Sequence, residues 1–252
     1  MTQATVASTE LNLAQIQSEY AFKSPRQTLE FALREFDNIA ISFSGAEDVI
    51  LIDMATKITD NLQVFSIDTG RLHAETYQFM EQVRQHYDLE LEVLFPNFQQ
   101  VEQLVREKGL FSFYADNHNE CCEIRKVRPL RRKLATIDAW ITGQRQDQSP
   151  DTRGNLPVIQ LDKAFSTKDH QIVKFNPLAN WTSKQVWQYI HHFDVPYNPL
   201  HEKGFVSIGC QPCTKTVLPN QHEREGRWWW EQPADKECGF HQDNLRSPAI
   251  LD

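Results

Sequence analysis

Four of the five cysteines in the chain fall into two close pairs. Cys121 and Cys122 are adjacent, and Cys210 and Cys213 form a Cys-x-x-Cys pair far downstream. Adjacent thiols do not bridge each other easily, because the eight-membered ring would strain the peptide between them. Four cysteine thiolates suit either an iron–sulfur cluster or a tetrahedral zinc ion. Since zinc sites rarely use adjacent cysteines, we favour iron; four incidental buried thiols are the alternative.

The fifth cysteine, Cys238, stands alone near the C-terminus. If the other four are metal ligands, a single thiol remains, and a single thiol cannot close an internal disulfide. A reactive Cys238 would therefore need a thiol from a second protein to complete an exchange reaction. The alternative is an exposed bystander in a loosely structured tail.

Basic residues follow the adjacent cysteines directly, beginning with Arg125 and Lys126. The chain as a whole carries a net charge of −8, which argues against general affinity for nucleic acid or a membrane surface. A local basic cluster on an acidic protein indicates a small anionic ligand instead, and arginine suits forked contacts with phosphate or sulfate oxygens. For Arg128, Arg131 and Lys133 we prefer a solvated surface role.

Two short polar motifs follow predicted strands. The segment Ser42-Phe-Ser-Gly-Ala-Glu-Asp48 joins a strand to a helix, where backbone N–H groups favour an anion and Gly45 permits close approach of the backbone. An ordinary strand–helix turn is the alternative reading. Asp68-Thr-Gly-Arg71 follows the next strand. Because ligands of parallel sheets sit at the carboxyl ends of the strands, both motifs are expected at one edge.

Apolar runs alternate with amphipathic segments along most of the chain, which predicts an α/β fold with a doubly wound, mostly parallel sheet. The predicted strands cover residues 39–43, 62–67, 91–95, 139–142, 158–162 and 171–175. Predicted helices cover residues 28–36, 47–59, 74–86, 98–108 and 122–133, and a further helix begins after Thr182 and runs toward His191. A long polar loop occupies residues 143–154.

We expect a single domain over residues 1–252, with an α/β core at 24–193 and an irregular C-terminal extension at 194–252 that carries the Cys-x-x-Cys pair and Cys238. No apolar run reaches the roughly 18 residues that a membrane helix needs. The first twenty residues contain no Lys or Arg, so they lack the basic start of a targeting peptide. A cytoplasmic location, where thiols stay reduced, follows as an expectation.

Together these motifs resemble those of the assimilatory adenylyl-sulfate reductases, within the PAPS/APS reductase family. The resemblance extends from about residue 24 to residue 241, and Phe240, where the family usually has Leu, is a small departure. It implies an adenine nucleotide alpha hydrolase-like fold. The Ser42–Asp48 loop is similar to the phosphate loop of the ATP-pyrophosphatase superfamily, but Ala46 and Glu47 depart from that pattern and argue against pyrophosphate chemistry. The resemblance is carried by residues 42–48, 67–71, 121–126, 143–149, 207–214, 226–231 and 236–241.

The resemblance implies reduction of adenosine 5′-phosphosulfate (APS) to sulfite and AMP in sulfate assimilation. Cys238 would attack the sulfur atom and hold an S-sulfo group, and thioredoxin or glutaredoxin would release it as sulfite. A 4Fe–4S cluster is implied at the four paired cysteines. A homo-oligomeric assembly is also expected, together with no nucleic-acid partner and no membrane partner.

The same resemblance implies the other site residues. Lys126 and His241 join Cys238 as catalytic residues, and an anionic cluster close to Lys126 can orient that lysine without carrying electrons. His118 and His241 are equally well explained as structural histidines, and the tryptophans at 228–230 as packing. The substrate-binding set is Ser42, Ser44, Gly45, Asp68, Gly70, Arg71, Arg125, Arg145, Arg224 and Arg227.

Three alternatives remain open from the sequence. The substrate could be the 3′-phosphorylated nucleotide (PAPS), alone or alongside APS, although the four cluster cysteines favour APS. A cluster-bearing tRNA-thiolating relative should keep an ATP-type loop and a basic RNA-binding surface, which are missing. An iron–sulfur sensor would need neither Cys238 nor the anion loop.

Overall fold

Six strands form one mixed, mostly parallel sheet. The structure is a computed structural model that describes residues 13–218 and 221–232. The strands are β1 (Ile39–Ser42), β2 (Gln63–Ile67), β3 (Leu91–Leu94), β4 (Ala139–Ile141), β5 (Ile159–Leu161) and β6 (Val173–Phe175). Their order across the sheet is β3-β2-β1-β4-β6-β5. Every neighbouring pair is parallel except β5 and β6, so the prediction of a mostly parallel sheet is confirmed.

Helices connect the strands and cover the sheet. They are α1 (Leu13–Tyr20), α2 (Pro25–Glu35), α3 (Ala46–Ala55), α4 (Ala74–His86), α5 (Phe98–Lys108), α6 (Ser112–Ala115), α7 (Asn119–Cys122), α8 (Arg128–Leu134), α9 (Pro150–Arg153) and α10 (Ser183–Phe193). A π-helical segment, Glu123–Val127, joins α7 to α8, and three short 3-10 turns cover Gln146–Gln148, Pro199–Lys203 and Gln211–Cys213. In the described part of the chain, no helix is both long and apolar enough to cross a bilayer.

The core forms because successive strand residues point to opposite faces of the sheet. Ile39 and Ile41 of β1 pack into one apolar cluster, together with α3 and α10, whereas Ala40 between them packs into a second cluster on the other face. In β4, Trp140 lies in that second cluster. This period of two explains why short apolar runs, buried on both faces, were readable as strands.

Two helices begin with the same kind of cap, which for α10 confirms the predicted start after Thr182 and for α2 places the start before the predicted residue 28. Ser24 and Thr182 cap α2 and α10, and each accepts a hydrogen bond from the backbone N–H of a glutamine three residues later. Each glutamine side chain in turn accepts a hydrogen bond from the backbone N–H of its cap residue. Both ends are therefore capping boxes, in which two otherwise unpaired N–H groups are satisfied reciprocally.

Two features of the fold differ from the sequence prediction. Residues 13–20, which have little pattern, form the short helix α1, whose Gln17 donates a hydrogen bond to the backbone oxygen of Ile159 at 2.8 Å. The basic helix predicted at residues 122–133 starts earlier and contains the π-helical segment. A π turn closes its hydrogen bond one residue later than an α-helical turn does. The local hydrophobic periodicity of the sequence does not show where such a turn lies.

The sheet order places a topological switch point between β1 and β4. The chain passes from β1 to β2 on one side, whereas β4 returns to the other side of β1. A crevice opens at such a point outside the carboxyl ends of the strands. The motifs that follow β1, β2 and β4 therefore share one edge of the sheet, as the sequence predicts.

The β1 strand is the centre of the core, and its truncation is expected to be costly. Ile41 is fully buried, whereas the side chain of Phe22 is 95 % exposed. We expect Ile41→Ala to lower the free energy of unfolding by about 2–5 kcal/mol through the cavity it leaves. Phe22→Ala, the control, should change it by less than about 0.5 kcal/mol. Equal losses in chemical denaturation would contradict this assignment of the core.

Candidate functional site

Two distant segments bring four cysteines together beside the sheet. Cys121 and Cys122 lie at the end of α7, and Cys210 and Cys213 flank a short 3-10 turn. None of the four is in a disulfide, and they pack with Phe113 and Trp228 in one cluster. We call these four residues the cysteine cluster. Their assembly is the arrangement that the two-plus-two pattern predicts.

Hydrogen bonds between the segments hold the cysteine cluster in place. The backbone N–H of Gln211 donates to the carbonyl of Arg71 at 2.8 Å, and that of Trp228 donates to the carbonyl of Cys213 at 3.1 Å. The Thr69 hydroxyl lies 3.2 Å from the Cys210 sulfur. The loop after β2 and the segment 221–232 therefore both fix the Cys-x-x-Cys turn.

His118 anchors the segment 221–232 onto the cysteine helix. Its ring is buried and stacks on Trp228 with 4.3 Å between ring centroids. Its Nδ1 lies 2.5 Å from Glu231 Oε2, and its backbone N–H donates to Glu231 Oε1 at 3.0 Å. His118 is thus a structural histidine, one of the two readings of this residue from the sequence.

Cations surround the cysteine cluster, as expected for a site that receives an anion. Arg125 donates from Nη1 to the carbonyl of Thr69 at 2.6 Å, whereas its buried Nε has no protein partner. Lys126 Nζ lies 5.4 Å from the centroid of the Trp228 ring, and the Arg227 guanidinium lies 4.6 Å from it. The face of an aromatic ring attracts cations, so Trp228 gathers positive charge beside the sulfurs.

The positive charge and the burial around the cysteine cluster both shift the pKa values of its thiols. Burial opposes ionisation of Cys210, but Lys126, the Thr69 hydroxyl and nearby arginines hold its pKa below the ordinary value. Burial, together with the charge of Cys210, raises the pKa of Cys213 to about 12. Burial also raises the pKa of Cys121.

A set of four cysteine sulfurs is chemically suited to an iron–sulfur cluster or to zinc. Within residues 13–218 and 221–232, no three His, Cys, Asp or Glu side chains are grouped as ligands of one metal ion.

A cavity of about 200 Å³ lies at the carboxyl edge of the sheet, next to the cysteine cluster. Its walls come mainly from the loops after β1, β2 and β4 and from residues within 198–210 and 223–228. Lys126 and Cys210 line both this cavity and the small space among the cysteines. A ligand in the cavity would therefore reach the cysteine cluster through these two residues.

Positive and negative side chains line different parts of the cavity. Lys126, Arg224 and Arg227 lie around Trp228, and we call these three residues the cationic end. Near the N-terminus of α3 the cavity is lined by carboxylates, and we call Glu47, Asp48 and Glu223 the acidic end.

In the loop after β1, backbone N–H groups donate to the side-chain carboxylate of Asp48. Asp48 Oδ2 accepts hydrogen bonds from the backbone N–H groups of Ser44 and Gly45 at 2.8 and 2.9 Å, and Oδ1 accepts one from Gly143 at 2.8 Å. These are N–H groups that a phosphate loop would offer to its ligand. Gly143 leaves no room for a side chain, since an added Cβ would lie 2.6 Å from Glu47 Cβ. The loop therefore lines the cavity, but its hydrogen-bond donors serve Asp48.

Arg145 connects two carboxylates of the acidic end, Glu47 and Glu223. Its buried guanidinium donates from Nε to Glu47 at 3.2 Å and from Nη2 to Glu47 and Glu223 at 3.0 Å, while Nη1 donates to Asp147 at 3.2 Å. All three guanidinium nitrogens are thus bonded to carboxylates. Arg145 does not line the cavity, which points to positioning of these acids rather than contact with a ligand.

Although Glu47 and Glu223 both bond to Arg145, their pKa values shift in opposite directions. Although burial opposes its ionisation, the adjacent Arg145 holds the pKa of the Glu47 carboxyl below its ordinary value. Burial and the charge of Glu47 raise the pKa of Glu223 to about 7. Burial, against three backbone hydrogen bonds, raises the pKa of Asp48 to about 6. Of these three carboxyls, Glu47 therefore ionises at the lowest pH and Glu223 at the highest.

The other substrate-binding residues predicted from the sequence are divided between the cavity and the cysteine cluster. Ser42, Ser44 and Gly45 line the cavity, as do Arg224 and Arg227. Arg71 and Arg125 lie among the cysteines instead.

Asp68 and Gly70 form the turn that supports Arg71 and Arg125. Asp68 Oδ1 accepts from the Gly70 N–H at 2.7 Å, and Gly70 has a φ of 71° that favours glycine. Cys238 and His241 lie outside the described residues.

Several lining residues were not anticipated from the sequence. They include Asp48, Thr142, Gln148, Arg153, Asn198 and His201. Arg153 and Gln148 belong to the long polar loop at 143–154, whose length was a signal of function. Arg128 and Arg131 are exposed, as predicted, and pair with Glu123. The prediction of a solvated surface role is wrong for Lys133, whose side chain is only 11 % exposed and pairs with Glu92.

The fold is shared with adenine-nucleotide enzymes. The FMN adenylyltransferase of Candida glabrata, in a complex with FAD and inorganic pyrophosphate, aligns with a TM-score of 0.54 over 98 % of this chain and 82 % of that chain, at 15 % identity. A phosphoadenylyl-sulfate (PAPS) reductase from Candida auris, in a phosphate complex, aligns with a TM-score of 0.68 over 85 % of this chain and 100 % of that chain, at 28 % identity.

Sequence comparison is more specific. The family model described as the phosphoadenosine phosphosulfate reductase domain matches residues 38–216, and the chain belongs to this family. It is 58 % identical over 239 residues to an adenosine 5′-phosphosulfate reductase of Pseudomonas aeruginosa, covering 94 % of this chain and 90 % of that protein. It is 54 % identical over 227 residues to the chloroplastic 5′-adenylylsulfate reductase 1 of Arabidopsis thaliana, covering 88 % and 49 %. The family resemblance inferred from the motifs is confirmed.

The raised pKa of Glu223, about 7, predicts a pH-dependent stability. A carboxyl with a raised folded pKa contributes stability that is complete below its unfolded pKa and is lost as pH rises through the folded value. We expect Glu223→Gln to escape this loss. Between about pH 5 and pH 8, the free energy of unfolding of the variant should therefore gain on the wild type by roughly 1–3 kcal/mol.

Chemical denaturation at several pH values measures this difference. Glu107→Gln, on the exposed face of α5, is the control and should follow the wild type at every pH. A difference between Glu223→Gln and the wild type that stays constant with pH would contradict the raised pKa.

Proposed function

We propose that this protein reduces adenosine 5′-phosphosulfate to sulfite and AMP in sulfate assimilation. The observation that carries the proposal is a cavity whose cationic end adjoins the cysteine cluster, through Lys126 and Cys210, which line both spaces. The names of the relatives at 54–58 % identity point to the same substrate.

The cavity suggests an orientation for the nucleotide. A phosphosulfate group carries negative charge, so its favourable position is beside Lys126, Arg224 and Arg227. The nucleoside then lies toward the loops after β1 and β4. In this orientation the sulfur atom is at the open, cationic end of the cavity, and the segment that begins at residue 221 leads toward Cys238.

The proposed reaction is a transfer of the sulfo group to Cys238. The Cys238 thiolate forms a bond to the sulfur of the substrate, and the bond from that sulfur to the phosphate oxygen breaks. AMP leaves with the electron pair, and its new negative charge is stabilised by Lys126 and the arginines of the cationic end. His241 is the proposed third catalytic residue.

A dithiol donor, thioredoxin or glutaredoxin, completes the balance. One donor thiol attacks the Cys238 sulfur and displaces sulfite, which leaves a mixed disulfide. The second donor thiol resolves this disulfide, restores the Cys238 thiol and leaves the donor oxidised. Two electrons are thus transferred from the donor to the sulfur that leaves as sulfite. Because Cys238 is the fifth cysteine, and the other four lie together, an external donor is needed.

The cysteine cluster fits a 4Fe–4S group. Cys121, Cys122, Cys210 and Cys213 would hold it, since cysteine thiolates are the usual ligands of such clusters. Four cysteines from two segments, none of them in a disulfide, suit such a group, and the buried Nε of Arg125 beside them has no hydrogen-bond partner in the protein. When bound, the cluster supplies a fixed negative charge that orients Lys126 toward the substrate.

The remaining expectations are part of the same proposal. Reduced thiols suit a cytoplasmic location. A homo-oligomer stays a prediction, and a reductase for PAPS and an iron–sulfur sensor are the alternatives. The adduct experiment below separates the sensor, because a sensor would not form an S-sulfo adduct.

Cys238→Ser tests the chemical step. The variant should form no measurable sulfite with APS and thioredoxin, because its hydroxyl is a much weaker nucleophile than a thiolate. In the wild type without reductant, mass spectrometry of peptides should find a sulfonate adduct on Cys238. Normal sulfite formation by the variant, or an adduct on another residue, would exclude the mechanism.

Cys122→Ser tests the cofactor. Anaerobically purified wild-type protein should contain iron and labile sulfide and show a thiolate-to-iron absorption band, and Cys122→Ser should lose most of the iron. Cys238→Ser is the matched control, because it removes a cysteine outside the cysteine cluster and should keep its iron. Colourless, iron-free wild-type protein would disprove the cluster while leaving the adduct test independent.

A further inference from the structure

Three aromatic side chains form an exposed patch beside the cysteine cluster. Phe111, Tyr114 and Trp229 are 60 %, 42 % and 42 % exposed. Their rings follow one another across the surface, with centroid distances of 6.3 Å from Phe111 to Tyr114 and 6.3 Å from Tyr114 to Trp229. We call these three residues the aromatic patch. Contiguous exposed apolar surface of this kind is typical of an interaction site.

Two rings of the aromatic patch are held in place by polar groups. The Tyr114 hydroxyl donates a hydrogen bond at 2.7 Å to the carbonyl oxygen of Pro212, inside the Cys-x-x-Cys turn. The Lys215 ammonium lies 3.1 Å from the centroid of the Trp229 ring. Side chains that are ordered before binding lose little conformational freedom when a partner covers them, so the aromatic patch is prepared for contact.

The aromatic patch adjoins the cavity and the cysteine cluster. Trp228 is buried, lines the cavity and packs with the cysteines, whereas the next residue, Trp229, belongs to the aromatic patch. Cys238 follows nine residues after Trp229. A fully extended chain of that length spans about 30 Å at most. A protein that attacks the sulfur of Cys238 must therefore bring its thiol close to this face of the molecule.

We propose that the aromatic patch is the docking surface for the dithiol donor protein that releases sulfite from Cys238. This inference rests on the proposed function, because the S-sulfo group is what requires a second protein. The donor surface around the reactive thiol has to face the region next to the cationic end, where the aromatic patch lies. Redox partners meet through small, transient interfaces, and tryptophan and tyrosine rings supply much of the binding energy in such contacts.

The residues that lead to Cys238 are less suited to cover the aromatic patch themselves. Asp235, Lys236 and Glu237 directly precede Cys238, and burying charged side chains against aromatic rings is costly without partners. The proposed sulfo transfer also draws this stretch toward the cationic end. A separate protein with an apolar surface is therefore the better occupant.

Release of sulfite from the preformed adduct isolates the docking step. Anaerobically purified protein is treated with APS without reductant, desalted, and mixed with either reduced thioredoxin or dithiothreitol. We expect Phe111→Ser/Trp229→Ser to slow release by subsaturating thioredoxin at least about tenfold, because aromatic anchors dominate interface energy. Release by dithiothreitol should not change, since this small dithiol needs no docking surface.

The matched control is Phe22→Ser, which removes an exposed ring between α1 and α2 and should behave like the wild type toward both reductants. If circular dichroism shows that the double variant is misfolded, Phe111→Ser alone takes its place. Serine suits that position because residue 111 is the N-cap of α6. The single variant should show the same selective loss.

The other results each contradict donor docking at the aromatic patch. They are an unchanged rate with thioredoxin, an equal loss toward both reductants, and wild-type adduct that thioredoxin releases no faster than dithiothreitol does. An altered rate of adduct formation would mean that the chain itself uses the aromatic patch. A smaller assembly of the variant in light scattering would assign the aromatic patch to a second copy, and either finding overturns the inference. Wild-type protein that forms no S-sulfo adduct would instead overturn the proposed function.

Discussion

Buried charges in this molecule need partners, and this constraint organises the cavity. Removing a charge from water is costly unless an opposite charge or several hydrogen bonds replace the water. Around Trp228, cations gather beside the sulfur atoms, whereas near α3 three carboxylates share Arg145. The two groups are held by different elements, so the cavity has a polarity from one end to the other. A ligand with one anionic terminus and one uncharged terminus matches that polarity.

The helix that carries the cysteines depends on the same principle. Its π segment, Glu123–Val127, lies between Cys122 and Arg128 and buries both Arg125 and Lys126. A π turn widens the helix locally and changes the direction in which the following side chains point. Arg125 thereby reaches the loop after β2, while Lys126 lies between the cysteine cluster and the cavity. The irregular helix is therefore part of the site's construction.

Much of the fold and part of the site could be predicted from the sequence. Six strands and most helices were found within a few residues, because buried β-branched runs and capping boxes are local signals. The assembly of the four cysteines also followed from residue types and spacing. The roles of Arg145 and Asp48 did not. Arg145 meets Glu223 across a long stretch of chain, and no local pattern records which charges will be neighbours.

The sequence by itself determined the sheet, the family and the chemical character of the thiols, since these depend on residue types, periodicity and short motifs. Only the tertiary structure decided which cations lie beside the cysteines and which are bonded to carboxylates. It also decided that the N–H groups of the loop after β1 serve Asp48 rather than a phosphate. The reason is physical: hydrogen bonds and ion pairs act over a few ångströms, and folding alone brings distant residues within that range.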